Sequence, residues 1–159
     1  MLMLLALAVP AAAANGLESA FYGKVVGVSD GDTLDVMRSG RAVRVRLAGI
    51  DCPEKGQPFF RRAKEFTAQA AFGRTVKVTP LKVNKEERWG RVVATVILPD
   101  GRDLSRELLK AGLAWWYDRF SPGERDLKEL EQQARLLKRG LWREAAPLPP
   151  WDFRAGERE

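Results

Sequence analysis

The sequence predicts a mixed α+β fold dominated by β, a five-stranded barrel with three packed α-helices. Three observations predict it. From Ala20 to Leu98, short runs rich in Val, Thr and Leu alternate with Gly, Asp, Ser and Pro turns, interrupted once by a helical stripe. From Asp103 onward the apolar residues fall at three- and four-residue spacing instead. The chain has 159 residues, 45% hydrophobic and 30% charged, which is enough for one domain with its own core.

The elements follow in order. Lys24 to Val28 is a strand that ends in the turn-forming Ser29-Asp30-Gly31-Asp32-Thr33. Thr33 to Met37 alternates polar and apolar, and Ser39-Gly40 is a two-residue hairpin signal. Arg41 to Leu47 alternates too, so Ala42, Arg44 and Arg46 share one face and Val43, Val45 and Leu47 the other. Phe59, Ala63, Phe66 and Ala70 form a helical stripe, with Gly73 placed as its C-terminal cap. Thr75 to Thr79 and Val92 to Leu98 are the fourth and fifth strands, the last closed by Pro99-Asp100-Gly101. Five strands with one helix between the third and fourth is the order of an oligonucleotide-binding (OB) barrel, although other five-stranded topologies share the pattern.

The rest reads as helical. Asp103 is an N-cap for a short helix ending before Gly112. Ser121-Pro122-Gly123-Glu124 is a capping box with Pro at the first helical position. The helix it opens carries Leu127, Leu130, Ala134, Leu137 and Leu141, a stripe for packing on the barrel, with Gly140 as the stop. Pro147 to Phe153 is expected to run extended, with Trp151 and Phe153 as anchors, and residues 154–159 form a polar tail. Residues 20–153 thus make one domain, with no internal repeat.

Composition narrows the chemistry. With 27 Lys+Arg against 21 Asp+Glu, the net charge of +6 favours a polyanionic partner, nucleic acid or an anionic membrane surface. The chain has no His. That removes Ser/His/Asp triads, His-pair ribonuclease chemistry and His-metal sites. A single cysteine, Cys52, excludes an intrachain disulfide and a Cys-based zinc site, and it has no His partner to activate it as a nucleophile.

Three short stretches carry the remaining chemistry: Asp30-Gly31-Asp32-Thr33, Val45-Arg46-Leu47 running on to Ile50-Asp51-Cys52-Pro53-Glu54, and Glu87-Arg88-Trp89-Gly90-Arg91. Singly, each reads as a turn or a solvated strand face. Together they supply a hard-cation site and its surroundings. Asp32 and Asp51 each end a strand, and two carboxylates with a carbonyl and water suit Ca²⁺ or Mg²⁺. Glu54 is close enough to orient a water, and Arg46 and Arg91 could clamp a phosphate and stabilise its transition-state charge. These are the parts of metal-assisted phosphodiester hydrolysis.

In order and content these stretches resemble the signature of the staphylococcal nuclease-like (thermonuclease) family. The match continues through Gly112-Leu113-Ala114-Trp115 and Arg139-Gly140-Leu141-Trp142, covering nearly all of residues 20–153. The resemblance implies an OB barrel with three helices and a Ca²⁺-dependent monomeric nuclease acting on DNA and RNA, single strands expected to be preferred, leaving 3′-phosphates and 5′-hydroxyls. It implies that Asp32 and Asp51 are carboxylate ligands of Ca²⁺ and that Cys52 supplies a backbone carbonyl. Some relatives have Thr at that position, whose hydroxyl contact to a metal-bound water the Cys side chain would not reproduce. The resemblance further implies Glu54 as the general base or water-positioning group, Arg46 and Arg91 as the phosphate-binding pair, Arg88 and Trp89 beside the nucleotide's terminal phosphate, and Tyr117 or Phe120 stacked on a base.

Met1 to Ala14 is uncharged and almost wholly apolar, the length of a signal-peptide core and too short for a usual membrane span. Ala12 and Ala14 meet the small-residue cleavage pattern, although the leader lacks a basic residue at its start. Export is therefore expected, with a membrane anchor from an uncleaved leader as the alternative. The competing functional reading is a nucleic-acid-binding module that keeps the fold and has lost the chemistry. Degenerate members of the family lack several site residues, whereas Arg46, Glu54, Arg91, Asp32 and Asp51 are all present here.

Overall fold

A computed structural model describes residues 19–81, 91–117 and 124–156. Five strands close a barrel in the order β1-β2-β3-β6-β5: β1 (Phe21–Val28), β2 (Thr33–Arg38), β3 (Arg41–Leu47), β5 (Thr75–Pro80) and β6 (Val92–Ile97). All neighbours are antiparallel except β3 and β6, which run parallel with Arg46 opposite Val93. Ser39 and Gly40 both have positive φ, the twist-matched geometry of a tight hairpin, and they join β2 to β3 in the register Thr33 opposite Arg46. The alternation in β3 holds: Val45 and Leu47 are buried, while Ala42 and Arg44 face out.

Two further strands were not expected. Ile50–Asp51 (β4) pairs with Trp115–Trp116 (β7) in a separate two-stranded sheet. Gly49, at φ 73, makes the turn that sends the chain from β3 into β4. Two residues are too few for alternation to register, so only the partner strand fixes them.

The helices are α1 (Phe60–Ala71), α2 (Leu104–Lys110), α3 (Arg125–Leu136) and α4 (Pro150–Gly156). Asp103 caps α2, accepting from the Arg106 amide at 3.2 Å. Phe72 closes α1 and Gly73, at φ 74, takes the left-handed position beyond it. Val25, Leu34, Val36, Val45, Leu47, Val76, Val78 and Val96 fill the barrel, and Leu104, Leu108, Leu109 and Leu127 seal its end. Each such side chain contributes about 1.5–3 kcal/mol by leaving water.

Several expectations are corrected. There are four α-helices among the described residues, because Pro147 to Phe153 does not run extended throughout: Pro150 opens α4, where its fixed φ and missing N–H suit a first helical position. Residues 154–156 of the expected polar tail belong to that helix. α3 ends at Leu136, so Leu137 is exposed and outside the stripe, and Leu141 is buried from a 3₁₀ turn, Gly140–Arg143. The reversal after α3 is made by Lys138, at φ 48, and not by Gly140. Ser121 and Pro122 of the expected capping box lie outside the described residues; Glu124 directly precedes α3 and makes no side-chain capping bond.

Gly140 instead packs backbone to backbone against Gly112. A Cβ there would stand 2.1 Å from the Gly112 carbonyl oxygen and 2.7 Å from that of Ala111, at a φ of +52. Gly140→Ala should therefore destabilise by about 2 kcal/mol or more in urea unfolding, since neither carbonyl can yield. Gly40→Ala, where a Cβ meets nothing within 4 Å, should cost only the left-handed penalty of about 1 kcal/mol. Equal losses in the two variants would refute the close-packing role.

Candidate active site

The site forms where the β1–β2 loop, β3 and β4 meet at one rim of the barrel. The loop between β1 and β2 brings Asp32, β4 brings Asp51, and β3 brings Arg46. Helices brace these loops from behind: Thr67 Oγ1 on α1 donates to the Gly31 carbonyl, and Ser105 Oγ on α2 donates to the Ala48 carbonyl at 3.0 Å. Gly31 has no room for a side chain, because a Cβ would lie 2.7 Å from Cys52 Sγ and 2.8 Å from Ala63 Cβ. The Asp-Gly-Asp spacing thus lets the loop lie flat on α1 and on Cys52.

Arg46 joins the two aspartates. Its Nη1 donates to Asp32 Oδ1 and its Nη2 to Asp51 Oδ1 at 2.6 Å. Asp32 and Asp51 are 2% and 0% exposed, and the Arg46 side chain 12%. Two carboxylates so deeply buried repel each other unless a cation stands between them. The other oxygens are occupied as well. Asp32 Oδ2 accepts from the Cys52 amide at 2.6 Å and Asp32 Oδ1 from Thr33 Oγ1 at 3.2 Å.

A second guanidinium completes the cluster, and nothing in the local pattern pointed to it. Arg154 on α4 donates through Nη2 to Asp51 Oδ2 at 2.8 Å and through Nη1 to Glu54 Oε1. Burial disfavours its charge, but the hydrogen bonds and attraction of Asp51 and Glu54 outweigh that and hold its pKa above the ordinary arginine value. Gln57 is the other residue missed. Its Oε1 accepts from the Glu54 amide and its Nε2 donates to the Leu148 carbonyl, both at 2.8 Å, so it fixes the Glu54 turn and ties it to the C-terminal segment.

The remaining expected residues fall as follows. Arg91 directly precedes β6, whose Val92 pairs with Val45 and Val93 with Arg46, so the two arginines enter from adjacent strands. Its positive charge, with that of Arg46, partly offsets the burial that raises the Asp30 pKa. Tyr117 follows β7, donates its amide to the Gly49 carbonyl at 2.9 Å, and stacks its ring on Trp151 of α4 at 5.3 Å between centroids. Cys52 is buried, and desolvation pushes its thiol pKa well above the ordinary value, so it is no nucleophile. Arg88 and Trp89, like Phe120, lie outside the described residues.

Asp32, Asp51 and the Cys52 carbonyl offer oxygen donors only and two formal negative charges, which fits a hard cation and not a thiophilic one. Among the described residues no group of three or more His, Cys, Asp and Glu side chains gathers as a ligand set.

Comparison with known proteins identifies the family. The sequence model of the family described as "Staphylococcal nuclease homologue" matches residues 44–144. A protein of Escherichia coli called "Uncharacterized endonuclease" is 41% identical over 133 residues, 84% of each chain. A "Micrococcal nuclease" of Shigella flexneri is 36% identical over 140 residues, 84% of this chain and 80% of that one. "Protein ParB" of Escherichia coli is 37% identical over 142 residues, 83% of this chain and 78% of that one. The extent of these matches, with the closed five-stranded barrel consistent with them, places the chain in the staphylococcal nuclease homologue family.

Proposed function

We propose that this nuclease-family protein is an exported, Ca²⁺-dependent hydrolase of DNA and RNA, acting as a monomer on single strands by preference and leaving 3′-phosphate and 5′-hydroxyl ends. One observation supports the reading most: Arg46 gathers two buried aspartates, one from the β1–β2 loop and one from β4, with Glu54 close by. Asp32, Asp51 and the Cys52 carbonyl would hold the ion. When bound, the cation supplies positive charge that polarises the phosphodiester.

The chain's own residues carry the other roles. Glu54, held in place through its backbone by Gln57, takes the proton of the attacking water or orients that water. Arg46 and Arg91 grip the phosphate oxygens and favour the extra charge of the five-coordinate phosphorus. Water adds to phosphorus and the bond to the 5′ oxygen breaks. The phosphate stays on the 3′ side, and the leaving oxygen takes up a proton. Tyr117, with Arg88 and Trp89, would provide the base-stacking and terminal-phosphate contacts. Export suits the metal, since Ca²⁺ is abundant outside cells. No helix among the described residues is long and apolar enough to cross a membrane.

The purified protein should degrade single-stranded DNA in CaCl₂ and stop on addition of EGTA. Rising salt should weaken substrate binding steeply, because phosphate contacts dominate it. Cleavage that persists under chelation would refute the metal assignment, and binding without cleavage would refute the hydrolase.

A further inference from the structure

We propose that α4 is a built-in cap that competes with both the cation and the nucleobase for the active site, so that Ca²⁺ binding and docking of α4 exclude each other. The proposal rests on the calcium-dependent nuclease reading above. Two contacts made by one short helix carry it. Arg154 places its guanidinium between Asp51 and Glu54, bonded to Asp51 Oδ2 at 2.8 Å and within 3.4 Å of Asp51 Oδ1. Trp151, one turn earlier on the same helix, lies nearly parallel over Tyr117, with 21° between the ring planes.

Arg154 lies on the oxygens that a cation would use. Asp51 Oδ1 accepts from Arg46 and Asp51 Oδ2 from Arg154, while both oxygens of Asp32 accept from Arg46, Thr33 and Cys52. A cation taking Asp51 Oδ2 as a ligand meets the Arg154 guanidinium on the same oxygen. It also adds positive charge beside a guanidinium. Trp151 occupies a face of the Tyr117 ring, where a base would stack. Arg154 thus stands in for a cation and Trp151 for a base.

The seat of α4 suits a cap that can leave. Only Pro150 of its seven residues is buried, and Trp151 and Phe153 are half-buried. Phe153 rests against Gly56, and the Gln57 bond to Leu148 holds the strand of chain leading into the helix. A seven-residue helix with one buried residue is held by few contacts, chiefly Trp151 against the Trp115, Leu141 and Trp142 cluster and Arg154 on Asp51. In the capped state the Arg154 charge is shared between Asp51 and Glu54.

The test uses the full chain without nucleic acid. Ca²⁺ titration by calorimetry should give a dissociation constant about 5- to 150-fold lower for Arg154→Ala than for the unaltered protein, the range of ordinary site-to-site coupling. In the unaltered protein CaCl₂ should speed hydrogen exchange at Trp151 to Gly156. Equal or weaker Ca²⁺ affinity in the variant, or exchange in α4 that CaCl₂ leaves unchanged, would each overturn the cap. If neither protein binds Ca²⁺, the calcium reading itself falls, and the cap falls with it.

Discussion

Glu54→Gln should slow cleavage of single-stranded DNA by about 10²- to 10⁴-fold while the protein folds normally. The amide keeps the shape of the side chain and can still accept a hydrogen bond from Arg154. It loses the negative charge and the basicity needed to draw a proton from water. Little stability is at stake, because Glu54 is 37% exposed and its turn is set by its backbone bonds with Gln57. Cleavage rates at saturating substrate, with circular dichroism and thermal unfolding as the control, decide the matter. Near-native rates would remove Glu54 from the chemistry. A matching loss of structure would make its role one of folding.

Arg46→Ala should lose both activity and stability. Activity falls because a phosphate-binding cation is gone, with a loss of about 10²- to 10³-fold typical for one charge-stabilising donor. Stability falls because Asp32 and Asp51 remain buried with their bridging cation removed, a change that costs about 3–5 kcal/mol when one partner of a buried pair is deleted. Arg46→Lys should recover only part of either quantity. A single ammonium carries the charge but cannot fork to two carboxylates on opposite sides. Urea unfolding with the cleavage assay measures both. A variant that kept its stability would mean that the aspartates relax apart without Arg46.

The barrel was readable because its strands are half-buried and its turns are chemically marked. Alternation in Arg41 to Leu47, the hairpin pair Ser39-Gly40 and the Asp-Gly-Asp turn are local signals that tertiary packing did not override. Arg46 stood out for the same reason, since it lies near the end of an alternating strand, and Asp32 through its turn-marked loop. The helices after Asp103 were less so. The Leu stripe continued in the sequence past Leu136, but the helix did not, because Lys138 adopts a left-handed turn that no residue type advertises. Gly140 looked like a helix stop, although its absent side chain serves the contact with Gly112.

Arg154 was the largest omission. It belongs to a heptapeptide helix after a Pro-rich stretch, and its partners Asp51 and Glu54 lie a hundred residues away along the chain. No periodicity reports a contact of that kind. Gln57 was hidden differently: a Gln in a polar loop reads as solvated, and only burial of its side chain between the Glu54 amide and the Leu148 carbonyl shows its work. Sequence pattern exposes residues whose neighbours are local and is silent on those recruited from afar.

The pairing of Ile50–Asp51 with Trp115–Trp116 has a consequence in time. A chain that leaves the ribosome or a membrane pore N-terminus first has all five barrel strands once Ile97 has emerged. Asp51 still lacks its ladder partner then, since Trp115 lies beyond α2. The β4–β7 ladder closes only when that later segment arrives, and closing so long a loop is slower than forming the local hairpins. The strand that carries Asp51 is thus the last in the chain to have its partner available.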